Sequence, residues 1–389
     1  MLRHLIFSCA FFLAASGARA AEPSLAISAP SAILIDAQTR TILFEKSADA
    51  PQTPASTAKV MTAELVFREL AAGRLRLDDV FEISENAWRT GGARARGSSM
   101  FAAPHSRVRV EDLIRGLVID SGNDAAIALA EGLAGGEGAF ATRMTKRALE
   151  LNLPHLTFAN SWGKADPEQR VTARDMAMLA LHVIATYPVY YKYFGEKEFI
   201  WNAIRQLNRN PLLTMELGAD GLKTGNIDDS GFGLVGSAVQ NGQRLVLALY
   251  GEKTAKDRAD EARKILQWGF RSFDAKTMFE KDEIVGYARV FGGAQAETPL
   301  VAAEPVRILV QRSATERFTG RIVYQGPLAP PVLAGAPVAR LKLFRGAAEV
   351  LDVPLLAKET VEPGSLPRRA FDAGLELAGG FIRKQFNRN

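Results

Sequence analysis

The chain has 389 residues, a length that favours two domains over one. Hydrophobic residues make up 47% and charged residues 23% of the sequence, as in an ordinary globular protein with a sizeable core. The formal net charge of +5 has its surplus at the ends of the chain, so the body lacks the basic footprint of a nucleic-acid-binding protein.

The first twenty residues have the parts of a secretory signal peptide. A basic start, MLRH, precedes the apolar run LIFSCAFFLAASG, and ARA supplies an Ala-x-Ala cleavage site. We predict a signal peptide over residues 1–20, cleaved after Ala20, rather than a retained anchor, because the apolar run is short for a membrane span. Cys9, the only cysteine, leaves with it. A mature chain without cysteine excludes disulfides, thiolate metal sites and a cysteine nucleophile.

The next elements predict an α/β domain over residues 21–275. Two strands in SAILIDAQTRTILFEKS precede a buried helix, STAKVMTAELVFRELAAG, which we expect to begin at Ser56 and end at Gly73. Helical patterns follow in VEDLIRGLVI, DAAIALAEGLAG, GAFATRMTKRALELNL and TARDMAMLALHVIATY. GLKTG, SGFGLVGSAVQ and QRLVLALYG then indicate antiparallel strands, before a last helix in AKDRADEARKILQWGFRSF. This order predicts a mainly antiparallel sheet flanked by helices.

The composition and hydrophobic pattern of the remaining sequence change at two points. Residues 283–358 are rich in Val, Pro and Gly, with short alternating runs such as GRIVYQG and VARLKLFRG. This pattern predicts a small all-β domain over residues 276–360. Over residues 361–389, apolar side chains recur every three or four positions opposite charged ones, which predicts an amphipathic helix lying in a membrane interface. The alternatives are a helix docked on its own protein and a frayed end. The basic surplus of this tail favours an anionic surface.

The segment TPASTAKVMTAEL places Lys59 three residues after Ser56 in an otherwise apolar helical pattern. Residues three apart lie on one face of a helix. In a structural interpretation, Ser56 caps the helix and Lys59 reaches solvent. In a catalytic one, Lys59 is the base that a serine nucleophile needs. Lysine is a base only when neutral, and burial, a neighbouring cation and a helix N-terminus all favour the neutral form.

No other base or metal site is evident in the sequence. Of the four histidines, His4 lies in the predicted signal peptide. His105, His155 and His182 lie outside any nucleophile-elbow or zinc motif. We therefore expect neither a metal nor a cofactor.

Two further short motifs follow. Ser121-Gly122-Asn123 lies between two predicted helices, and Lys223-Thr224-Gly225 lies on a strand that begins the antiparallel set. Each motif is common alone. The combination of Ser-x-x-Lys, Ser-Gly-Asn and Lys-Thr-Gly, in this order on a helix start, an interhelix loop and a strand, is highly specific for penicillin-recognising serine enzymes.

On these motifs the chain resembles the low-molecular-mass penicillin-binding proteins that are serine-type D-alanyl-D-alanine carboxypeptidases. PASTAKVMTA, GSSMF, VEDLIRGLVIDSGNDAA and DGLKTG carry the resemblance, which runs from about Ile27 to the tail. APPVLAGAPVARLKLFRGAAEVLDVPLLA resembles the family's C-terminal β domain. The resemblance implies an α/β fold of the penicillin-binding-protein/β-lactamase-like transpeptidase type, with an antiparallel sheet flanked by helices, plus a small all-β C-terminal domain.

The resemblance also implies a role for each catalytic residue. Ser56 attacks the carbonyl between two D-alanines, and Lys59 takes its proton. Ser121, helped by Lys223, passes a proton to the leaving amine, and Asn123 holds the substrate amide.

Four more positions would bind substrate. Thr224 and Arg209 take the terminal carboxylate, Gly225 belongs to the same substrate-binding strand, and the backbone N–H of Asn226 forms the oxyanion hole with that of Ser56. Water then hydrolyses the acyl-enzyme, and a β-lactam acylates the same serine. The partners so implied are peptidoglycan stem peptides, β-lactam antibiotics and, through the tail, the periplasmic face of a bacterial inner membrane. Sequence leaves the oligomeric state open.

Three stretches depart from the family pattern. NIDDSG follows Lys-Thr-Gly where the family more often has an aromatic residue or His and then Thr, and NSWGKADPEQRVTARD replaces an Asn-Pro-x-Gly-Leu stretch. Arg40 stands where a glycine usually turns the first hairpin. These departures concern substrate preference and acylation rate, and leave the core mechanism intact.

Three other functions are alternatives. A D,D-endopeptidase on the same fold differs only in which peptide bond it cuts. A class A β-lactamase usually has Ser-Asp-Asn and a Glu-x-x-Leu-Asn loop, where this chain has Gly122 and Ala148. A catalytically silent wall-binding protein would lose the nucleophile, whereas every motif residue is present here.

Overall fold

A computed structural model describes residues 8–11, 25–227, 230–312, 317–346 and 348–370. These residues form two compact units, divided between Arg271 and Ser272. Strand β1 (Ser8–Phe11) belongs to the second unit, although it lies within the predicted signal peptide. The domain limits proposed from sequence, at residues 20, 275 and 360, stay predictions.

The first unit is built on a five-stranded antiparallel sheet with the order β3-β2-β10-β9-β8. A two-stranded antiparallel pair, β4-β5, and a hairpin, β6-β7, accompany it. The strands of this unit are β2 (Ser31–Asp36), β3 (Ile42–Lys46), β4 (Val80–Glu82), β5 (Arg107–Arg109), β6 (Glu198–Trp201), β7 (Ile204–Leu207), β8 (Ala219–Ile227), β9 (Gly231–Gln240) and β10 (Gln243–Glu252).

Turn residues fix the connections of this sheet. Asn241 and Gly242 join β9 to β10 with φ values of 50° and 77°, as a two-residue hairpin requires. Arg40 takes a φ of 60° in the β2-β3 connection, a backbone conformation that favours glycine. Asp36 Oδ1 accepts hydrogen bonds from the backbone N–H groups of Gln38 and Thr39 and so stabilises that turn.

Helices cover both faces of the sheet, because successive strand residues point to opposite sides. On one face, Val246 and Ala248 pack with the main helical core, and on the other, Leu245 and Leu247 pack with the last helix. The helices are α1 (Lys59–Ala71), α2 (Val110–Val118), α3 (Asn123–Ala134), α4 (Glu137–Glu150), α5 (Ala173–Thr186), α6 (Pro188–Tyr191) and α7 (Ala255–Ser272).

The start of the first helix differs from the sequence prediction. Residues Ala55–Ala58 form a 3-10 turn, and the α-helix begins only at Lys59. Ser56 makes no capping hydrogen bond, so the structural interpretation of Ser56 as an N-cap is wrong. The β4-β5 pair, the β6-β7 hairpin and a π-helix over Ala87–Gly91 were also not predicted.

The second unit is all-β, as predicted. A six-stranded sheet has the order β1-β15-β16-β17-β13-β12, and β11 pairs with β14. Leu300, Leu341, Leu343 and Leu355 lie in its core. The strands are β11 (Phe273–Phe279), β12 (Ile284–Arg289), β13 (Glu297–Val301), β14 (Val306–Gln311), β15 (Phe318–Val323), β16 (Pro337–Arg345) and β17 (Ala348–Ala357).

The predicted tail helix is only partly described. Residues 366–370 are helical, and residues 371–389 lie outside the described residues. Among the residues that the structure describes, no helix is long and apolar enough to cross a bilayer.

Candidate active site

Ser56 lies on a turn that is enclosed by two close backbone approaches. Ala55 is held at a φ of 48°, which presents Ser56 ahead of α1. A Cβ on Gly225 of β8 would stand 3.0 Å from both the Ser56 nitrogen and the Pro54 oxygen, and one on Gly163 would overlap the Ala55 carbonyl oxygen. Only glycine lets both segments pass this close to the serine.

Lys59 is fully buried beside Ser56. Its Nζ lies 3.1 Å from Ser56 Oγ, and it donates to Asn123 Oδ1 and to the Trp162 carbonyl oxygen, both at 2.7 Å. A neutral amine has two N–H donors and one lone pair. The two short bonds use both donors, so in the neutral state the lone pair faces the Ser56 hydroxyl.

The surroundings of Lys59 favour that neutral state. Burial, followed by the positive charge of Lys223, lowers the pKa of Lys59 well below its usual value, and the carboxylates of Asp124 and Glu137 oppose this only in part. A lysine whose pKa is lowered in this way loses its proton more readily, and a neutral lysine can act as a general base.

The Ser121-Gly122-Asn123 segment joins α2 to α3. Ser121 has a φ of 62°, and its hydroxyl is buried without a partner among the described residues. The Asn123 N–H donates to the Ser98 carbonyl oxygen at 2.8 Å, and a Cβ on Gly122 would stand 3.0 Å from the Met100 nitrogen. The loop that contains GSSMF therefore packs directly on this motif.

Asp124 stabilises this packing, a role that the sequence analysis missed. Its buried carboxylate accepts from Ser99 Oγ at 2.7 Å and from the backbone N–H groups of Met100, Ala102 and Ala125. The signal was visible in sequence, since an acidic residue in the first turn of a helix has backbone donors near it.

Lys223 is buried on β8, where its Nζ donates to the Thr224 carbonyl oxygen at 3.1 Å. Burial, then the positive charges of Arg209 and Arg258, lower its pKa to about 7, while the carboxylate of Asp120 acts in the opposite direction. Lys223 can therefore exchange a proton near neutral pH.

An open cleft of about 530 Å³ lies above these buried groups. Of the residues predicted from sequence, Ser56, Asn123, Arg209 and Asn226 line it. Lys59, Ser121, Lys223, Thr224 and Gly225 are buried. Among the described residues that line the cleft, three are basic and none is a carboxylate, which suits an anionic ligand. The basic residues are Arg96, Lys164 and Arg209.

The NSWGK loop supplies a functional group that sequence reasoning did not find. The Trp162 carbonyl oxygen accepts a hydrogen bond from Lys59 Nζ. The loop is held in place by Asn160, whose Oδ1 accepts from the N–H groups of Gly163 and Lys164 at 2.8 and 2.9 Å. A backbone acceptor has no residue type, so no sequence signal could have identified it. Among the described residues, no cluster of side chains could hold a metal ion.

The site combines a buried lysine with a serine on a turn, and an Asn and a Lys-Thr-Gly strand lie beside its cleft. This combination defines an active-serine enzyme of the penicillin-binding protein class. The family model for D-alanyl-D-alanine carboxypeptidase, peptidase family S11, matches residues 17–254. The model for the C-terminal domain of penicillin-binding protein 5 matches residues 273–363. The chain belongs to the D-alanyl-D-alanine carboxypeptidase family and is a serine-type carboxypeptidase, which confirms the resemblance and the fold class.

Known D-alanyl-D-alanine carboxypeptidases and penicillin-binding proteins align with nearly the whole chain. D-alanyl-D-alanine carboxypeptidase DacC of Escherichia coli is 37% identical over 96% of this chain and 95% of its own length. DacD of the same organism is 34% identical over 89% of this chain and 90% of its own. Penicillin-binding protein 5 of Haemophilus influenzae superposes with a TM-score of 0.78 at 32% identity, covering 88% of this chain and all of that structure.

Proposed function

We propose that Ser56 is the nucleophile and Lys59 its general base in hydrolysis of the terminal D-Ala-D-Ala bond of peptidoglycan stem pentapeptides. The observation that supports this best is the hydrogen bonding of Lys59. Both N–H donors of its neutral form are used by Asn123 and Trp162, and the remaining lone pair faces Ser56 Oγ.

Acylation begins when Ser56 Oγ attacks the carbonyl carbon of the penultimate D-alanine and Lys59 accepts the hydroxyl proton. The N–H groups of Ser56 and Asn226 bind the oxyanion, and each such donor is worth about 3 kcal/mol in the transition state. The close packing of Gly225 on Ser56 supports this assignment, because it brings β8 to the serine turn.

The departing D-alanine needs a proton on its nitrogen. Ser121 delivers this proton and takes a new one from Lys223, whose pKa of about 7 permits donation at neutral pH. The Ser121 hydroxyl has no hydrogen-bond partner in the described part of the chain, which supports its use as this relay. Water then attacks the acyl-enzyme with Lys59 again as base, which regenerates Ser56.

The carboxylate of the terminal D-alanine binds at Thr224 and Arg209, and the site's positive charge supports this placement. A β-lactam has a comparable carboxylate and a strained amide. It acylates Ser56 by the same attack, and its leaving group stays attached.

Two experiments test the proposal. A fluorescent penicillin should label the purified protein and should not label Ser56→Ala; equal labelling of both would refute the nucleophile. Product analysis on a muropeptide pentapeptide should show loss of one D-alanine, whereas cleavage of a crosslinked dimer without that loss would make the enzyme an endopeptidase.

We also propose that the protein is exported and held on a membrane surface by its tail. The signal-peptide pattern of residues 1–20 and the apolar stripe with flanking Arg and Lys in residues 365–389 support this. Deletion of residues 365–389 should release the protein from membranes, and unchanged pelleting would refute the anchor.

A further inference from the structure

A buried carboxyl group, Asp120, lies directly before Ser121 and belongs to none of the three motifs. Its side chain is fully buried, and its Oδ2 accepts from Gln206 Nε2 at 2.9 Å. Its Oδ1 is also buried and has no hydrogen-bond partner among the described residues. A buried carboxylate oxygen without a donor is costly, so a purely structural role explains Asp120 poorly.

Asp120 is surrounded by the charges of the site. The groups that act on it are Arg209 and Lys223, which are positive, and Asp124, which is negative. In turn, the carboxylate of Asp120 opposes the effect of Arg209 and Arg258 on Lys223. The negative charge of Asp120 therefore offsets part of the positive charge around Lys223.

The bond to Gln206 connects Asp120 to the segment that carries Arg209. Gln206 lies on β7, three residues before Arg209. Asn208, directly before Arg209, donates from Nδ2 to the carbonyl oxygens of Phe194 and Glu196 at 3.2 and 2.8 Å. The backbone on the N-terminal side of Arg209 is thus fixed by two side chains, and one of them is held by Asp120.

We propose that Asp120 is a positioning residue of this active site, which holds the Arg209 segment through Gln206 and controls the charge on Lys223. The inference rests on the proposed function, because it assigns Arg209 and Lys223 to the substrate's carboxylate and to the proton relay. Asp120 itself is fully buried and is not one of the described residues that line the cleft.

The charge of Asp120 changes within the working range of the enzyme. Burial raises its pKa to about 7, with Asp124 adding to the rise and Arg209 and Lys223 opposing it. Above that pH its carboxylate favours the protonated form of Lys223. Below it, Asp120 is neutral and this support is lost. Removal of the negative charge therefore lowers the pKa of Lys223.

Asp120→Asn tests the effect of the charge, because it keeps an oxygen for Gln206. The measurement is the second-order rate of acylation by a fluorescent penicillin as a function of pH. The basic limb of this profile, where the rate falls as Lys223 loses its proton, should move to lower pH by about one unit, as expected for the loss of one nearby charge. In a Lys223→Arg background, where residue 223 does not titrate, the same substitution should give no such shift.

Gln206→Leu tests the tether and leaves the carboxyl group in place. It should raise KM for a D-Ala-D-Ala peptide roughly three- to tenfold, as expected for a misplaced charge-assisted hydrogen bond, with a smaller change in kcat. Gln206→Asn has a shorter side-chain amide, and its KM should lie between those of the wild type and Gln206→Leu.

The outcomes separate the inference from the function on which it rests. If the wild-type protein is not acylated, the proposed function fails. If it is acylated and Asp120→Asn lowers the rate equally at every pH, the role of Asp120 in controlling the charge is wrong. An unchanged KM for Gln206→Leu overturns the tether. Should Asp120→Asn not fold, carboxyl carbon chemical shifts of the wild type and Gln206→Leu still show whether Asp120 titrates near neutral pH.

Discussion

Lys59 Nζ lies 3.1 Å from Ser56 Oγ while its two shorter hydrogen bonds go to Asn123 and Trp162. The base is therefore held from two sides, by a side chain of α3 and by the backbone of the NSWGK loop. Its orientation toward Ser56 does not depend on the serine itself.

Lys59→Ala should fold and lose most acylation. A lost general base costs roughly 10²–10⁴-fold in rate, so labelling by fluorescent penicillin should slow by that factor. The substitution also leaves the Asn123 and Trp162 acceptors without the lysine donor, which should lower the thermal midpoint modestly. A near-normal acylation rate in this variant would contradict the assignment of Lys59 as base.

The charge of Lys223 should control the pH at which Lys59 becomes active. Acylation rises with pH as Lys59 loses its proton, and a positive Lys223 lowers the pKa of Lys59. Lys223→Gln removes this charge, so the pKa of Lys59 rises and the acidic limb of the acylation profile moves to higher pH.

Lys223→Arg is the matched control, since arginine keeps the charge. Its acidic limb should stay near the wild-type position even if the rate falls. The position of the limb is the readout, because both variants impair the proton relay. Equal shifts in the two variants would show that charge at residue 223 does not act on Lys59.

Burial of Lys59 also links stability to pH. Its pKa is depressed in the folded state, so the unfolded chain binds more protons between the two values and the free energy of unfolding rises with pH in that window. Lys59→Met, similar in shape and uncharged, should flatten that rise in urea titrations across neutral and alkaline pH. A rise of the same slope in Lys59→Met would assign it to other groups.

Most of the candidate catalytic residues could be predicted from the sequence, because the order and spacing of the serine, lysine and asparagine motifs are specific to this class of enzyme. What the structure added are groups whose role depends on the fold. Trp162 contributes through its backbone carbonyl oxygen, and Gly163 allows a close approach to Ala55. The hydrogen bond between Asp120 and Gln206 joins residues 86 positions apart, so only the fold brings them together. Hydrophobic periodicity found the main helices and strands, and missed β6 and β7, whose four-residue strands are too short to show a period.

Gly225→Ala should impair acylation with little effect on the rest of the fold. The new Cβ would stand 3.0 Å from the Ser56 nitrogen and the Pro54 oxygen, so β8 or the serine turn must shift by a few tenths of an ångström. Oxyanion-hole geometry is sensitive at this scale, and loss of one donor costs roughly 10²–10³-fold. Gly138→Ala in α4, which meets nothing within 4 Å, is the control and should keep full activity with slightly higher stability.

Arg209→Gln should weaken binding of substrates that have a terminal carboxylate. Arg209 is exposed in the cleft, so its loss should raise KM for a D-Ala-D-Ala peptide by roughly tenfold or more, the value of a charged hydrogen bond of about 1.5–3 kcal/mol. The same variant should hydrolyse a peptide amide, which lacks that charge, at a rate close to that of the wild type.

Arg205→Gln is the matched control for this effect. Arg205 lies on β7 of the β6-β7 hairpin, four residues before Arg209. Its partner is the exposed Glu198, and such surface pairs contribute little. Its KM for both peptides should therefore stay at the wild-type value. If Arg209→Gln and Arg205→Gln raise KM equally, the hairpin as a whole is responsible. If neither variant discriminates between the acid and the amide, the carboxylate binds elsewhere, and Lys223 with Thr224 on β8 must provide its recognition.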